Sequence, residues 1–253
     1  MTAGQDPLLL DAQDPLAPFR DAFLRQDGLT YLCGNSLGPL PLSTRDRMSR
    51  VVAQEWGESL VRGWNSHDWF GAARRVGDQL AALVGATPGE VIVADSTSAN
   101  LYKLAVAAMQ ARPGRSVILS EPGDFPTDLY MLEGAVRTLG GERRLELREA
   151  GDIEAALSQD VGVLVLCHVH YKTAAVRDMA RLTRAAHAVG ALVIWDLSHS
   201  AGIIDVDLNG CGADLAVGCG YKYLNGGPGA PAFLFVAARH QAALVSPLSG
   251  WMG

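Results

Sequence analysis

One lysine, Lys222, stands between two glycine clusters in Gly218-Cys219-Gly220-Tyr221-Lys222-Tyr223-Leu224-Asn225-Gly226-Gly227-Pro228-Gly229. Apolar runs bound the segment, Leu215-Ala216-Val217 before it and Ala232-Phe233-Leu234-Phe235-Val236 after it. Buried strands on both sides draw the ammonium out of bulk water, which is costly unless the amine is paired or neutral. A desolvated amine of this kind can form a Schiff base with a carbonyl. On its own, the segment reads equally well as a surface lysine on a glycine-rich turn.

Three further features bear on that choice. Asp196 ends an apolar run in Leu192-Val193-Ile194-Trp195-Asp196-Leu197-Ser198-His199. A carboxylate there needs a cation or several hydrogen bonds. A protonated pyridine nitrogen would be such a cation, and His199 could support or stack on the same ring. Asp95-Ser96-Thr97-Ser98-Ala99-Asn100 follows Val91–Ala94 and opens a helix. Hydroxyls and free N–H groups at a helix N-terminus suit a phosphate. Phe125, in Gly123-Asp124-Phe125-Pro126-Thr127-Asp128, falls at a strand-to-helix turn where its ring could stack on a flat ligand. Asp124 there reads as a cap for the helix that Pro126 begins.

Singly, each has an ordinary structural explanation: N-capping by Asp95 or Ser96, a loop-capping Asp196, a satisfied core His199. Jointly they describe a phosphate cup, a stacking aromatic, a carboxylate and an amine. Pyridoxal 5′-phosphate (PLP) has a phosphate, a flat ring, a basic ring nitrogen and an aldehyde for a lysine. Neither a dinucleotide glycine fingerprint nor a P-loop occurs, so neither nucleotide reading is supported.

These residues need a scaffold that brings strand ends together. Strands are expected at Val91–Ala94, Val117–Ser120, Arg144–Leu147, Val163–Cys167, Leu192–Asp196, Leu215–Val217 and Ala232–Val236. Helices are expected at Ala99–Ala111, Thr127–Leu139, Ile153–Leu157 and Val176–Val189. Continuous apolar strands alternating with helices predict an α/β fold: a mostly parallel seven-stranded sheet with helices on both faces. Ligands then bind beyond the carboxyl ends of the strands.

Ahead of this region, residues 1–30 read as irregular, with Pro7, Pro15 and Pro18 as breakers. Tyr31-Leu32-Cys33 reads as a short strand entering a Gly/Pro turn that carries Asn35 and Ser36. Ser43-Thr44 is expected to cap a helix running to Glu55 or Trp56. Trp64, Trp69 and Phe70 sit on a loop where they line a pocket or pack beneath it. Val76, Leu80, Leu83 and Val84 then fit a helical period. The chain divides into an N-terminal arm with a first helix, 1–60, and a cofactor-binding large domain, 61–253.

A net charge of −6 leaves no basic patch for nucleic acid. No apolar run approaches the roughly 18 residues that span a bilayer. Met1–Asp6 has no basic region ahead of an apolar one, so no signal peptide is read and the expected location is cytoplasmic. Cys33, Cys167, Cys211 and Cys219 form no CxxC pair and are expected to be reduced. His168 and His170 have no further ligand at a sensible spacing, so no metal site is expected; they are read at the mouth of a strand.

The motifs also resemble one family as a set. Tyr31-Leu32-Cys33-Gly34-Asn35-Ser36-Leu37-Gly38, Asp95 to Leu101, Asp124 to Tyr130, Trp195 to Gly202, Tyr221 to Gly229 and Pro247-Leu248-Ser249-Gly250-Trp251-Met252-Gly253 occur in the order found in kynureninases. Kynureninases are fold-type I PLP enzymes that cleave L-kynurenine, and 3-hydroxy-L-kynurenine, to the anthranilate and L-alanine.

The resemblance implies that Lys222 carries the cofactor as a Schiff base and later moves protons. It implies that Asp196 pairs with the ring nitrogen, that His199 supports the cofactor, that Phe125 stacks on the ring and that Asp128 makes a polar contact beside it. Ser96, Thr97 and Ser98 would hold the phosphate with Tyr221, which also becomes a candidate proton donor. Trp251 would reach the phosphate from the partner subunit of a homodimer. Trp64, Asn35 and Ser36 would lie on the substrate side. Two departures stand out. Cys167 replaces a hydroxyl near the cofactor. The chain also stops at Gly253, where relatives continue into a small domain, so a truncated chain without that domain is expected. The competing readings are a cysteine desulfurase or aminotransferase of the same fold, and a non-catalytic PLP-binding fragment.

Overall fold

The computed structural model describes residues 6–250. Its centre is a seven-stranded sheet: β1 (Val91–Val93), β2 (Val117–Ser120), β3 (Arg144–Leu147), β4 (Val161–Cys167), β5 (Leu192–Asp196), β6 (Leu215–Gly218) and β7 (Phe233–Val236). The strand order is β1-β7-β6-β5-β4-β2-β3. The pairs β2–β3, β2–β4, β4–β5 and β5–β6 are parallel. Only β7 runs against its neighbours, β1 and β6. The expected mostly parallel sheet is present. Because β1 shares the direction of β6, the carboxyl ends of β1, β2, β4, β5 and β6 lie along one edge.

Alternation along the strands divides the interior in two. On β4, Val163 and Val165 face one core while Leu164 and Leu166 face the other. The first core also takes Leu101, Leu104 and Met109 from the helix Thr97–Gln110, and Leu132 and Ala135 from the helix Pro126–Leu139. The second takes Ala81 from the helix Trp69–Leu83, and Leu182 and Ala186 from the helix Met179–Ala188. Helices therefore cover both faces, and β4 is buried throughout. Removing a fully buried leucine such as Leu164 would cost about 2–5 kcal/mol.

Four local expectations are corrected. Residues 7–13 and 17–22 form a short α-helix and a 3-10 helix, with Pro7 and Pro18 in their first turns, where proline has no N–H bond to lose. Tyr31–Cys33 is not a strand; the arm is tied to itself instead, through Leu24 N to Leu40 O and a bridge between Phe23 and Pro41. The helix Leu42–Arg50 starts from Pro41 with no side-chain cap, so Ser43 and Thr44 do not cap it, and it runs on as a π-helix, Val51–Glu58. The helix expected from Val176 begins at Met179, because Asp178 accepts from Arg181 N as its cap while Val176 pairs with Val169.

Candidate active site

The loop after β6 returns Lys222 into the protein. Cys219 and Lys222 are buried, and Gly226 N donates to Gly220 O at 2.8 Å, closing the loop on itself. The turn at Cys33–Leu37 packs against this loop. Gly38 N donates to Tyr221 O at 2.8 Å, and a Cβ on Gly38 would overlap the Lys222 carbonyl and Asn225. Glycine is required there by contact, and in the same turn the Asn35 backbone lies beside His199.

The Lys222 amine is 2.9 Å from Nε2 of His199. Burial first, then the Lys222 charge, hold the His199 imidazole below its usual range, so the ring is neutral. A neutral ring can accept a hydrogen bond from the amine at Nε2, which leaves the proton on Nδ1. That Nδ1 is buried and makes no side-chain hydrogen bond, and the Asn35 backbone lies beside the ring. The amine also lies 5.6 Å from the Phe125 ring centroid and 5.7 Å from that of Tyr221.

Asp196 ends β5 opposite Cys167 at the end of β4. Its Oδ1 accepts from Ser198 N at 2.9 Å and Ser198 Oγ at 2.6 Å, while Oδ2 is 3.5 Å from the Cys167 sulfur. Asp128, in the first turn of the helix Pro126–Leu139, completes a buried trio. One ligand atom each from Asp128, Cys167 and Asp196 lies within 4.8 Å of the others. Burial, then the Asp196 charge, push the Asp128 carboxyl up to about 9. Burial, then Asp196, also push the Cys167 thiol well up, so it stays an S–H. A proton held on Asp128 relieves the repulsion between the two neighbouring buried carboxyls.

Phe125 is the N-cap of its helix through its backbone, with no side-chain cap. Asp124 is therefore not the cap expected of it. Its carboxylate accepts from Cys167 N at 3.1 Å and from Arg177 Nη2 at 3.1 Å. Arg177 also binds Glu121 and the Cys167 carbonyl. The Phe125 ring meets Tyr171 edge-on, with centroids 5.1 Å apart, and Tyr171 stacks on His170 and His199. The histidines do lie at a strand mouth, as read.

Ser96, Thr97 and Ser98 begin the helix that follows β1. Ser96 Oγ accepts from Ala99 N at 3.2 Å, so this hydroxyl is an N-cap. Asp95 pairs with Lys103 at 2.5 Å and takes a positive φ of 45°. Trp64 lies on a short helix, Gly63–Ser66, not a loop, and packs edge-on against Trp69 at 5.9 Å. Trp251 lies outside the described residues.

Lys222, Tyr221, His199 and Phe125 are thus grouped round the amine, with Asp128, Cys167 and Asp196 as a second cluster on the same sheet edge. Arg177, Glu121 and Tyr171 were missed as parts of the site. The acids at 121 and 124 signal a need for a cation at the end of β2, but nothing in the spacing points to Arg177.

The aminotransferase class-V family model matches residues 62–249. The chain belongs to the aminotransferase class-V family. Relatives of this class-V chain include the kynureninase of Burkholderia pseudomallei, 49% identical over 260 residues, and that of Pseudomonas fluorescens, 48% identical over 258. Both alignments cover 100% of this chain and 62% of the relative, so the chain spans less than two thirds of their length. The class-V fold recurs in a cysteine desulfurase from Thermococcus onnurineus NA1, with a TM-score of 0.72 at 18% identity over 99% of this chain and 62% of that one. It recurs again in a C-DES variant with glycine linked to its PLP cofactor, with a TM-score of 0.77 at 16% identity over 92% and 63%.

Proposed function

We propose that this protein binds pyridoxal 5′-phosphate and hydrolyses L-kynurenine, and 3-hydroxy-L-kynurenine, between Cβ and Cγ to give the anthranilate and L-alanine. The observation that carries the reading is 48–49% identity to curated kynureninases along the whole chain. The residues present fit the cofactor. Asp196, buried at the end of β5 beside Asp128 and Cys167, is a carboxylate that a protonated ring nitrogen would pair with. The buried Nδ1 of His199 has no side-chain partner among the described residues. The amine of Lys222 stands at the Phe125 ring.

Lys222 would hold the aldehyde carbon, Asp196 the ring nitrogen, and Phe125 one face of the ring. Asp128 would add a polar contact. Thr97, Ser98 and the first amides of their helix would hold the phosphate, with Tyr221 and with Trp251 of a partner subunit. When bound, the cofactor supplies an electron sink conjugated to the substrate α-carbon. The Lys222 amine would be the group that takes up and returns the Cα proton, with neutral His199 accepting a hydrogen bond from it. Burial, then Cys219, hold the Tyr221 phenol above its usual range, so it keeps a proton to deliver at Cβ. Asn35, Ser36 and Trp64 would face the substrate. A homodimer, with the site at its interface, completes the proposal. The location is cytoplasmic, in keeping with four unpaired cysteines.

The test is anthranilate fluorescence with kynurenine and added PLP, with alanine measured in parallel. Equal release of the two products is expected. Alanine from cysteine with none from kynurenine would instead identify a desulfurase. A bound cofactor with neither activity would identify a non-catalytic binder.

A further inference from the structure

We propose that Arg177 is a positioning residue, clamping the turn after β2 to the end of β4 so that Phe125, Asp128 and Cys167 meet the cofactor in register. The inference rests on the cofactor reading above and assigns a role that none of the sequence motifs carries.

The clamp is built from both ends of one guanidinium. Its Nη1 donates to the Cys167 carbonyl, and its Nη2 to Glu121 and to Asp124 Oδ1. The other Asp124 oxygen accepts from the Cys167 amide. Both backbone groups of Cys167 are therefore held by the Arg177–Asp124 pair. Cys167 carries the thiol between Asp196 and Asp128, and Asp124 immediately precedes Phe125. The backbone anchors the arginine in turn, since Arg177 N donates to His168 O at 3.0 Å. Glu121 and Asp124 are buried, and Arg177 is the cation paired with both among the described residues. Buried carboxylates that lose such a partner take up a proton or draw in water, and either response loosens the turn. The planar fork meets three acceptors from two nitrogens held in fixed geometry, whereas the three donors of a lysine radiate from a single nitrogen.

The groups facing Asp124 are Glu121 on its own turn, Arg177 from the loop after β4, the Cys167 thiol from β4, and Asp128 from the following helix. His170 Nε2 lies over Gly123 beside Glu121. Burial, partly offset by Arg177, brings the Asp124 carboxyl up to about 6. Cofactor affinity should thus fall as pH drops through that value, and removing the cation should move the fall to higher pH.

The experiment measures PLP affinity, cofactor absorbance band and melting temperature against pH in the full chain and in Arg177→Gln, Arg177→Lys and Asp124→Asn. In Arg177→Gln, affinity is expected to fall about tenfold or more, the scale of one lost charge-assisted hydrogen bond, with a shifted band and a higher pH midpoint. Arg177→Lys should restore the midpoint but not the full affinity. Asp124→Asn should abolish the midpoint, which keeps the test open if the glutamine variant fails to fold. Wild-type affinity and band in Arg177→Gln would overturn the inference. So would a lower melting temperature with an unmoved pH profile, the mark of a purely structural residue. A wild-type chain that binds no PLP would overturn the cofactor reading itself, and is told apart because the parent fails as well as the variants.

Discussion

The Lys222 amine and the Nε2 of His199 are 2.9 Å apart, and the imidazole is held neutral by burial and by the lysine charge. A neutral acceptor beside an amine holds it in place without competing for its charge. Removing the amine should end turnover while leaving the sheet intact. Lys222→Ala should lower anthranilate production by about 10²–10⁴-fold or more, with borohydride no longer fixing the cofactor to the chain. Normal activity in this variant would sink the mechanism.

Phe125 supplies a ring rather than a charge. Phe125→Leu should keep the helix start, which Pro126 and the backbone cap provide. Stacking is worth about 0.5–1.5 kcal/mol, so PLP affinity should fall by roughly 2–10-fold. A cofactor titration that overlays the wild type would remove Phe125 from the site.

The cofactor-free protein should carry a pH signature from its crowded carboxyls. Asp128 is raised to about 9 from 3.8, so the folded state holds its proton where the unfolded chain has lost it. That preference is present below the unfolded value and is lost as pH rises towards the folded one. Asp128→Asn should therefore stabilise the cofactor-free protein at pH 8 by roughly 1 kcal/mol or more, about 2–4 °C in melting temperature, and less at pH 4. Destabilisation at pH 8 would refute the crowding.

His168 and His199 act in the opposite sense. Burial first lowers both, with added repulsion from Arg177 and Lys222 respectively. A lowered histidine favours the fold above the unfolded value of 6.5, and that advantage fades as pH falls below it. Replacing His168 by Gln should flatten the acid limb of the melting profile. An unchanged limb would show that His168 is not responsible.

Asp214 offers a control at the other end of the sheet. It precedes β6, is buried, and accepts from His187, His240, Arg239 and Val193 N. Burial opposes its charge, but these donors win and hold the carboxyl below its usual range. Its contribution is present above the unfolded value of 3.8 and lost as pH falls through the folded one. Asp214→Ala should cost about 1–3 kcal/mol of stability, read by chemical denaturation, without changing the cofactor band.

By itself the sequence determined the elements and the chemistry-bearing positions. The runs at 163–167, 192–196 and 215–217 are apolar enough to be strands in any context, and their spacing by helices predicts a parallel sheet. A lysine between glycine clusters and an aspartate ending a buried strand signal a site because burial makes them costly without partners. The boundaries at 31–33, 43–44 and 176 were not legible, since they depend on which neighbour pairs with the backbone.

Only the tertiary structure decided the partners. Asp124 looked like a helix cap because capping is local, yet its carboxylate faces Cys167 and Arg177, which are distant in sequence and adjacent only once β2 and β4 pair. The neutral state of His199 and the protonated state of Asp128 likewise arise from burial and from charges brought in by other segments of the chain. Long-range proximity and desolvation are properties of the packed sheet, and no spacing along the chain encodes them.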